Sequence, residues 1–460
     1  VCGIGYAQLQ EIEVAGRLFC NRNGKWYNYG GGRILDEIDP SKLVVRMVGD
    51  GDVAQFLSQS DRQTFSTRPL PLGRTTLIES ESSIALFSLA NSLHMAGIFD
   101  IIEFDSFGSR NALPDDQLFP SQWGLHNPGP GDWPHGYWGA DIQAEAAWAI
   151  TKGSPSIILA VIDSGLDLSH PDLVKNLWVN HGEIPGNNID DDGNGYVDDI
   201  HGYCFFACGT STAPNGVNHH GTTVAGVIMA NSNNSIGVAG VAGGWGSTPG
   251  CQVMILKDGN SDTSRVAVVE AMAYACRNGA RVINISSVFL DSPSPWYPAT
   301  FLQAAVDEAV ENYGIMVVGS AGNDNTYPIG APAAYGNTLC VGGSTWFDTY
   351  DPSWVHGDQM DVIAPSGGIY TTDMWGTYNS FSGNSLATPF VTGVCGLMLS
   401  INPGLSFEQI LLGIRETAEK VQEMGGSNWE ASQELLKLED GLLIVHSGWN
   451  LGRHRTRRPS

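Results

Sequence analysis

Positive charge is scarce in this sequence. Of 460 residues, 23 are Lys or Arg and 48 are Asp or Glu, a formal charge of −25. A nucleic-acid binder needs a basic surface to displace counterions from phosphates, so that class is excluded. Long apolar runs are missing too: no stretch of about 18 apolar residues is unbroken. The nearest approach, Ile84 to Ile102, is interrupted by Ser88, Asn91, Ser92 and His94, and no membrane span is expected. Eight cysteines in 460 residues are too few for a small disulfide scaffold. Only Cys204 and Cys208 are close, and without a second pair they make a weak zinc signal, which leaves a local disulfide or two free thiols. The even count permits an oxidising compartment. At Val1 no basic segment leads into an apolar one, so any signal peptide is expected to have been removed. No internal repeat is found.

What is present fits a globular protein. Hydrophobic residues make up 42% and charged residues 15%, too apolar for disorder. The length suggests about two to three domains, and the 57 glycines predict many tight turns. Residues 1–112 read as a small α+β unit. Lys42–Met47, Thr75–Ile78 and Ile98–Phe104 are expected strands, and Ser82–Ala96 has helical spacing ended by Gly97. Polar, Gly- and Pro-rich residues 108–131 suit a linker. In residues 113–447 short apolar runs alternate with helix-like stretches. The runs are Ile157–Ile162, Val253–Leu256, Arg281–Ile285, Ile315–Val318 and Leu339–Val341; the helices are Ser264–Cys276, Ala299–Glu311 and Ser385–Ser400. That alternation predicts an α/β fold, a mostly parallel sheet with helices on both faces. Residues 448–460 are basic and read as a disordered tail.

Ligands of such sheets bind beyond the carboxyl ends of the strands, so the residues there matter most. Asp163 ends the first run. His219 and His220 precede a helix expected at Thr223–Ala230. Asn323 follows Ile315–Val318, and Ser385 opens an apolar helix. Singly, each has an ordinary structural reading as a cap or turn residue. Together they are the four side chains acyl transfer needs: a hydroxyl nucleophile, a base of near-neutral pKa, a carboxylate to orient it and an amide for the oxyanion. Their order, Asp163, His220, Ser385, is that of the subtilisin triad among the convergent ones.

The segments around these residues resemble the subtilases, the subtilisin-like serine proteases. The matching segments are Ala160-Val161-Ile162-Asp163-Ser164-Gly165, His220-Gly221-Thr222-Thr223-Val224-Ala225-Gly226, Ser320-Ala321-Gly322-Asn323 and Gly383-Asn384-Ser385-Leu386-Ala387-Thr388-Pro389. The resemblance spans about 120 to 420. It implies a serine endopeptidase acting on protein or peptide substrates, with Asp163 orienting His220, His220 as base and acid, Ser385 as nucleophile and Asn323 lining the oxyanion hole. The alternatives are a catalytically silent module of the same fold and an esterase. Asn384, Leu386, Thr223 and Phe390 stand where the family usually has Thr, Met, His and His. After Arg281–Ile285 the family usually carries Ser-x-Gly, whose backbone pairs with the substrate strand; here it is Ser286-Ser287-Val288.

The resemblance extends, more weakly, to residues 1–112 as an inhibitory propeptide and folding aid. That implies a zymogen, secreted and monomeric, cut between about 105 and 120. One acidic loop, Asn188 to Asp199, follows the D-x-D-x-D-G logic of a calcium site, with Asn188, Asp190, Asp192, Asn194, Asp198 and Asp199 as candidate ligands of a structural Ca2+. It lacks the bidentate Glu that usually closes such a loop.

Overall fold

The computed structural model describes most of residues 10–48, 65–107, 113–128, 139–290 and 300–420, together with Glu434 and Leu435. The chain forms two compact units, Val1–Arg110 and Asn111–Ser460.

The first unit is an antiparallel sheet with one helix. Its strands are β1 (Gln10–Val14), β2 (Arg17–Arg22), β3 (Lys25–Gly30), β4 (Arg33–Met47), β5 (Ser66–Pro69), β6 (Thr76–Glu79) and β7 (Phe99–Phe107). Helix α1 (Ser83–Ala96) is capped by Ser82, whose hydroxyl accepts the Ala85 N–H, and ends at Gly97 in the left-handed region. Leu86, Phe87, Ala90 and Leu93 of α1 pack with Leu43, Val45 and Ile78 into one core. Strands β1 to β3 and β5 were not expected from sequence. Their short runs mix polar and apolar residues, although Asn23-Gly24 between β2 and β3 is a hairpin signal.

The second unit is built on a sheet of seven parallel strands. They are β8 (Ile158–Asp163), β9 (Gly202–Cys204), β12 (Gln252–Lys257), β13 (Val282–Ile285), β14 (Met316–Ser320), β15 (Thr338–Ser344) and β16 (Val362–Pro365). Between β9 and β12 lies a small hairpin, β10 (Gly244–Trp245) and β11 (Thr248–Pro249); β17 (Ile369–Asp373) pairs with β18 (Thr377–Phe381). The order across the sheet is β16-β15-β14-β13-β8-β12-β9, and beyond β16 come the short β19 (Glu419–Lys420) and β20 (Glu434–Leu435). Consecutive connections leave β8 in both directions, so β8 is the topological switch point where α/β sheets open a crevice.

Side chains alternate across this sheet. Leu159 and Val161 enter one core with α3 (His220–Met229) and α6 (Asn384–Ile401), which also takes in α2 (Ala144–Ile150) and α7 (Phe407–Thr417). Ala160 and Ile162 enter the other, with α4 (Arg265–Arg277) and α5 (Phe301–Tyr313). Burial on both faces is why these strands read as continuous apolar runs. Helix α6 is long and apolar enough to cross a membrane, yet it is buried in the first core. Cys204 and Cys208 form a disulfide.

Among the boundaries that move, two bear on the site. Helix α3 begins at His220 rather than Thr223, because Gly221, Thr222 and Thr223 are weak helix formers that hide its first turn. Helix α6 is capped by Gly383, so Ser385 is its second residue rather than a cap.

Candidate active site

Three strand ends and two helix starts assemble the site. Asp163 closes β8 and is buried. His220, partly exposed, opens α3, and its Nδ1 lies 2.8 Å from Asp163 Oδ1 and 3.0 Å from Oδ2. A carboxylate only accepts, so Nδ1 carries the proton and Nε2 is left as the basic atom. Asp163 Oδ1 also accepts the Ser164 N–H at 2.7 Å. The backbone of His220 is held in turn: its N–H donates to Asn218 Oδ1, which also accepts from Ser164 Oγ, and Ser164 Oγ accepts the Gly221 N–H. Gly221 is forced by contact, since a Cβ there would stand 2.1 Å from the Gly165 carbonyl oxygen.

Ser385 sits in the first turn of α6, buried and near the positive end of the helix. Its hydroxyl donates to the Ser286 carbonyl at 3.3 Å, while Ser286 Oγ donates to the Ser385 carbonyl at 3.1 Å. The register pairs Ile285 with Ile162, which sets Ser286 level with Asp163. Thus the nucleophile candidate is fastened to the residue beside the carboxylate that holds His220. No hydrogen bond joins Ser385 to His220 here; such contacts tighten when substrate binds.

Asn323 is set against the same turn. Its Oδ1 accepts the Asn384 N–H at 2.7 Å, which fixes the amide and leaves the NH2 group with no acceptor among the described residues. Asn384 Nδ2 donates to the Gly322 carbonyl at 2.7 Å, so Asn384 clamps the loop that carries Asn323. Gly383 has a φ of 145°, open to glycine alone, and a Cβ there would lie 3.1 Å from Asn323 Nδ2.

Asp258 was missed from sequence, where Lys257-Asp258-Gly259 looks like a turn. It follows β12, next to β8, and its N–H donates to the Asp163 carbonyl. Its carboxylate accepts from Thr263 Oγ1 and, at 3.5 Å, from Ser287 Oγ. Burial, and then the charge of Asp163, push its pKa up to about 6. Asp163 chiefly, and Asp258 to a smaller degree, raise that of His220, against a partial loss of hydration.

The acidic loop lies between Asp163 and His220 in the chain. Carboxylate oxygens of Glu183, Asp192 and Asp199 fall within 4.8 Å of one another, a group that could hold a metal ion. Asn180 Nδ2 and Asn194 Nδ2 both point at Asp192 and Asp199. Asp190 accepts from the backbone of Asn194 and Gly195, and Asp198 from that of Gly186, Asn187 and Asn188, so these two carboxylates hold the turns. Glu183 stands before the loop in sequence, which is why a search for a closing Glu did not find it. Tyr274 of α4 donates to Asp199 at 2.5 Å, tying the loop to the second core.

A parallel α/β sheet bearing an acid, a histidine and a helix-borne serine at its carboxyl edge defines a subtilisin-like serine endopeptidase. Comparison with known proteins agrees. The profile of the subtilase family matches residues 154–433. The chain is 35% identical over 286 residues to thermitase of Thermoactinomyces vulgaris, 62% of this chain and 88% of that one. It is 33% identical to subtilisin BL of Lederbergia lenta, over 61% of this chain and 90% of that one. Among solved structures, proteases from Pseudoalteromonas arctica superpose with a TM-score of 0.55 at 23% identity, covering 73% of this chain and all of that one. The chain belongs to the subtilase family.

Proposed function

We propose that this protein hydrolyses internal peptide bonds through an acyl-enzyme at Ser385. His220 Nε2 takes the hydroxyl proton as Ser385 Oγ attacks the carbonyl carbon, then delivers it to the leaving amine; water repeats the sequence to release the acid. Asp163 keeps the imidazole in one tautomer and stabilises the imidazolium. The Asn323 amide and the Ser385 N–H donate to the oxyanion. The observation that carries this reading is the two-pronged hold of Asp163 on His220 Nδ1, at 2.8 and 3.0 Å. A fluorophosphonate should label the wild-type protein and not Ser385→Ala, and casein turnover should vanish with the label. Turnover of nitrophenyl esters without casein cleavage would favour an esterase, and failure to label at all would leave a silent module.

The acidic loop is proposed to take a structural Ca2+. The donor set fits: three carboxylates lie in reach of one another, two of them buried. Asp192, Asp199 and Glu183 would hold the ion, Glu183 while also accepting the Asp191, Asp192 and Asp198 N–H groups, and Asn188, Asp190 and Asp198 frame the loop. A divalent cation there neutralises crowded like charges. Residues 1–112 are proposed to be the propeptide of a secreted zymogen.

A further inference from the structure

Residues 286–288 form one wall beside the nucleophile and residues 320–323 the other. Phe289 and Ala331 exchange backbone hydrogen bonds of 2.8 Å, which anchors the end of the first wall. Before that anchor, the backbone N–H and C=O groups of Ser287 and Val288 have no partner among the described residues. An extended peptide laid on this free edge gains strand hydrogen bonds. If its carbonyl carbon is to reach Ser385 Oγ with the oxygen toward the Asn323 amide, the residue bearing that carbonyl sends its side chain between the two walls.

Val288 already occupies that space. Its Cγ1 lies 2.3 Å from where a Cβ on Gly330 would stand, and 3.8 Å from where one on Gly322 would stand. Gly322 directly precedes Asn323, and Val355 Cγ2 closes its far side at 3.2 Å from the same point. Ile329 and Val355, both buried, pack behind this wall with Ala321 and Ala333 in a small apolar cluster. Apolar side chains therefore line this gap, and that of Val288 reaches into it toward Gly322 and Gly330. A glycine at position 288, the residue expected there from the subtilase resemblance, would leave the gap open.

We infer that Val288 is a specificity-determining residue that restricts the position before the scissile bond to small side chains such as Ala. The inference rests on the proteolytic reading above and names its substrate class. The test is a set of peptides identical except for Ala, Leu or Phe before the cleaved bond, turned over by wild type, Val288→Gly and Val288→Ala. Wild type is expected to favour Ala over Phe by about tenfold or more in kcat/KM, and Val288→Gly to reduce that ratio by about tenfold, with Val288→Ala between. A wild-type preference for Phe overturns the inference. So does a ratio that moves less than about twofold in folded variants. If thermal melting shows that Val288→Gly does not fold, Val288→Ala decides by the same criterion. Fluorophosphonate labelling separates two failures. Labelled enzyme whose selectivity ignores Val288 refutes the steric inference alone, whereas wild type that neither labels nor cleaves refutes the proteolytic reading with it.

Discussion

His220 is pulled in one direction by two carboxylates. Asp163 and, more weakly, Asp258 stabilise its protonated form, so its pKa stands above the ordinary 6.5. Catalysis needs Nε2 unprotonated, and activity must therefore rise with pH through that raised pKa. The acid limb of kcat/KM is expected above pH 6.5 in the wild type and at lower pH in Asp258→Asn, which removes one of the raising charges. A wild-type limb at or below 6.5, or no downward movement in the variant, contradicts the electrostatic account. In the proposed mechanism Asn323 contributes only when the oxyanion forms, since its Oδ1 is committed to the Asn384 N–H and its NH2 group awaits an acceptor. Asn323→Ala is expected to lower kcat by about 10²–10³, or about 2.7–4 kcal/mol, with little change in KM. Steady-state kinetics on one peptide check this; an effect confined to KM would assign Asn323 to substrate binding instead.

Elements explain what could be read in advance and what could not. The strands of the parallel sheet, β8 and β12 to β15, were legible because burial on both faces makes each a run of apolar residues, as in Ile158–Asp163. Helix α1 was legible because Ser82 and Gly97 mark its ends. Asp163, His220 and Ser385 could be singled out as a candidate triad because each closes or opens such an element. Contacts made only in three dimensions were hidden. Glu183 joins Asp192 and Asp199 from outside the acidic loop, and Asp258 meets Asp163 only because β12 lies beside β8. The loop itself yields a prediction. Its like charges repel unless a cation sits among them, and a ligand at about a hundredfold its Kd adds about 2.7 kcal/mol to stability. Chelation is expected to lower the Tm by roughly 3–4 °C, and Glu183→Gln to lose most of the Ca2+-dependent rise. Differential scanning calorimetry with and without Ca2+ checks this, and identical melts would count against the site.

If the whole chain is a zymogen as proposed, the place of the cut follows from which residues the second unit holds. The boundary between the two compact units falls at Arg110 and Asn111. Just beyond it, residues 115–118 are bound into the second unit. Asp115 Oδ1 accepts the Ser235 N–H at 2.8 Å and Asp116 Oδ2 the Asn233 N–H at 2.6 Å, while the Leu118 N–H donates to the Gly237 carbonyl at 2.8 Å. Asp116 is buried, and Asp172 accepts from the same loop through Asn234 Nδ2 and the Val238 N–H. A cut after Asp116 would discard the bonds made by Asp115 and Asp116, and each such bond to a carboxylate is worth about 1.5–3 kcal/mol. A cut before Leu113 keeps all of them in the mature peptidase. Parallel sheets assemble through distant pairings and fold slowly, so a unit that is needed for folding and then removed has a physical purpose. N-terminal sequencing after expression is therefore expected to find wild type beginning between residues 105 and 113 and Ser385→Ala retaining residues 1–104. The same N-terminus in both proteins would mean that the chain does not process itself. A wild-type N-terminus beyond Asp116 would mean that the docked segment is dispensable to the mature enzyme.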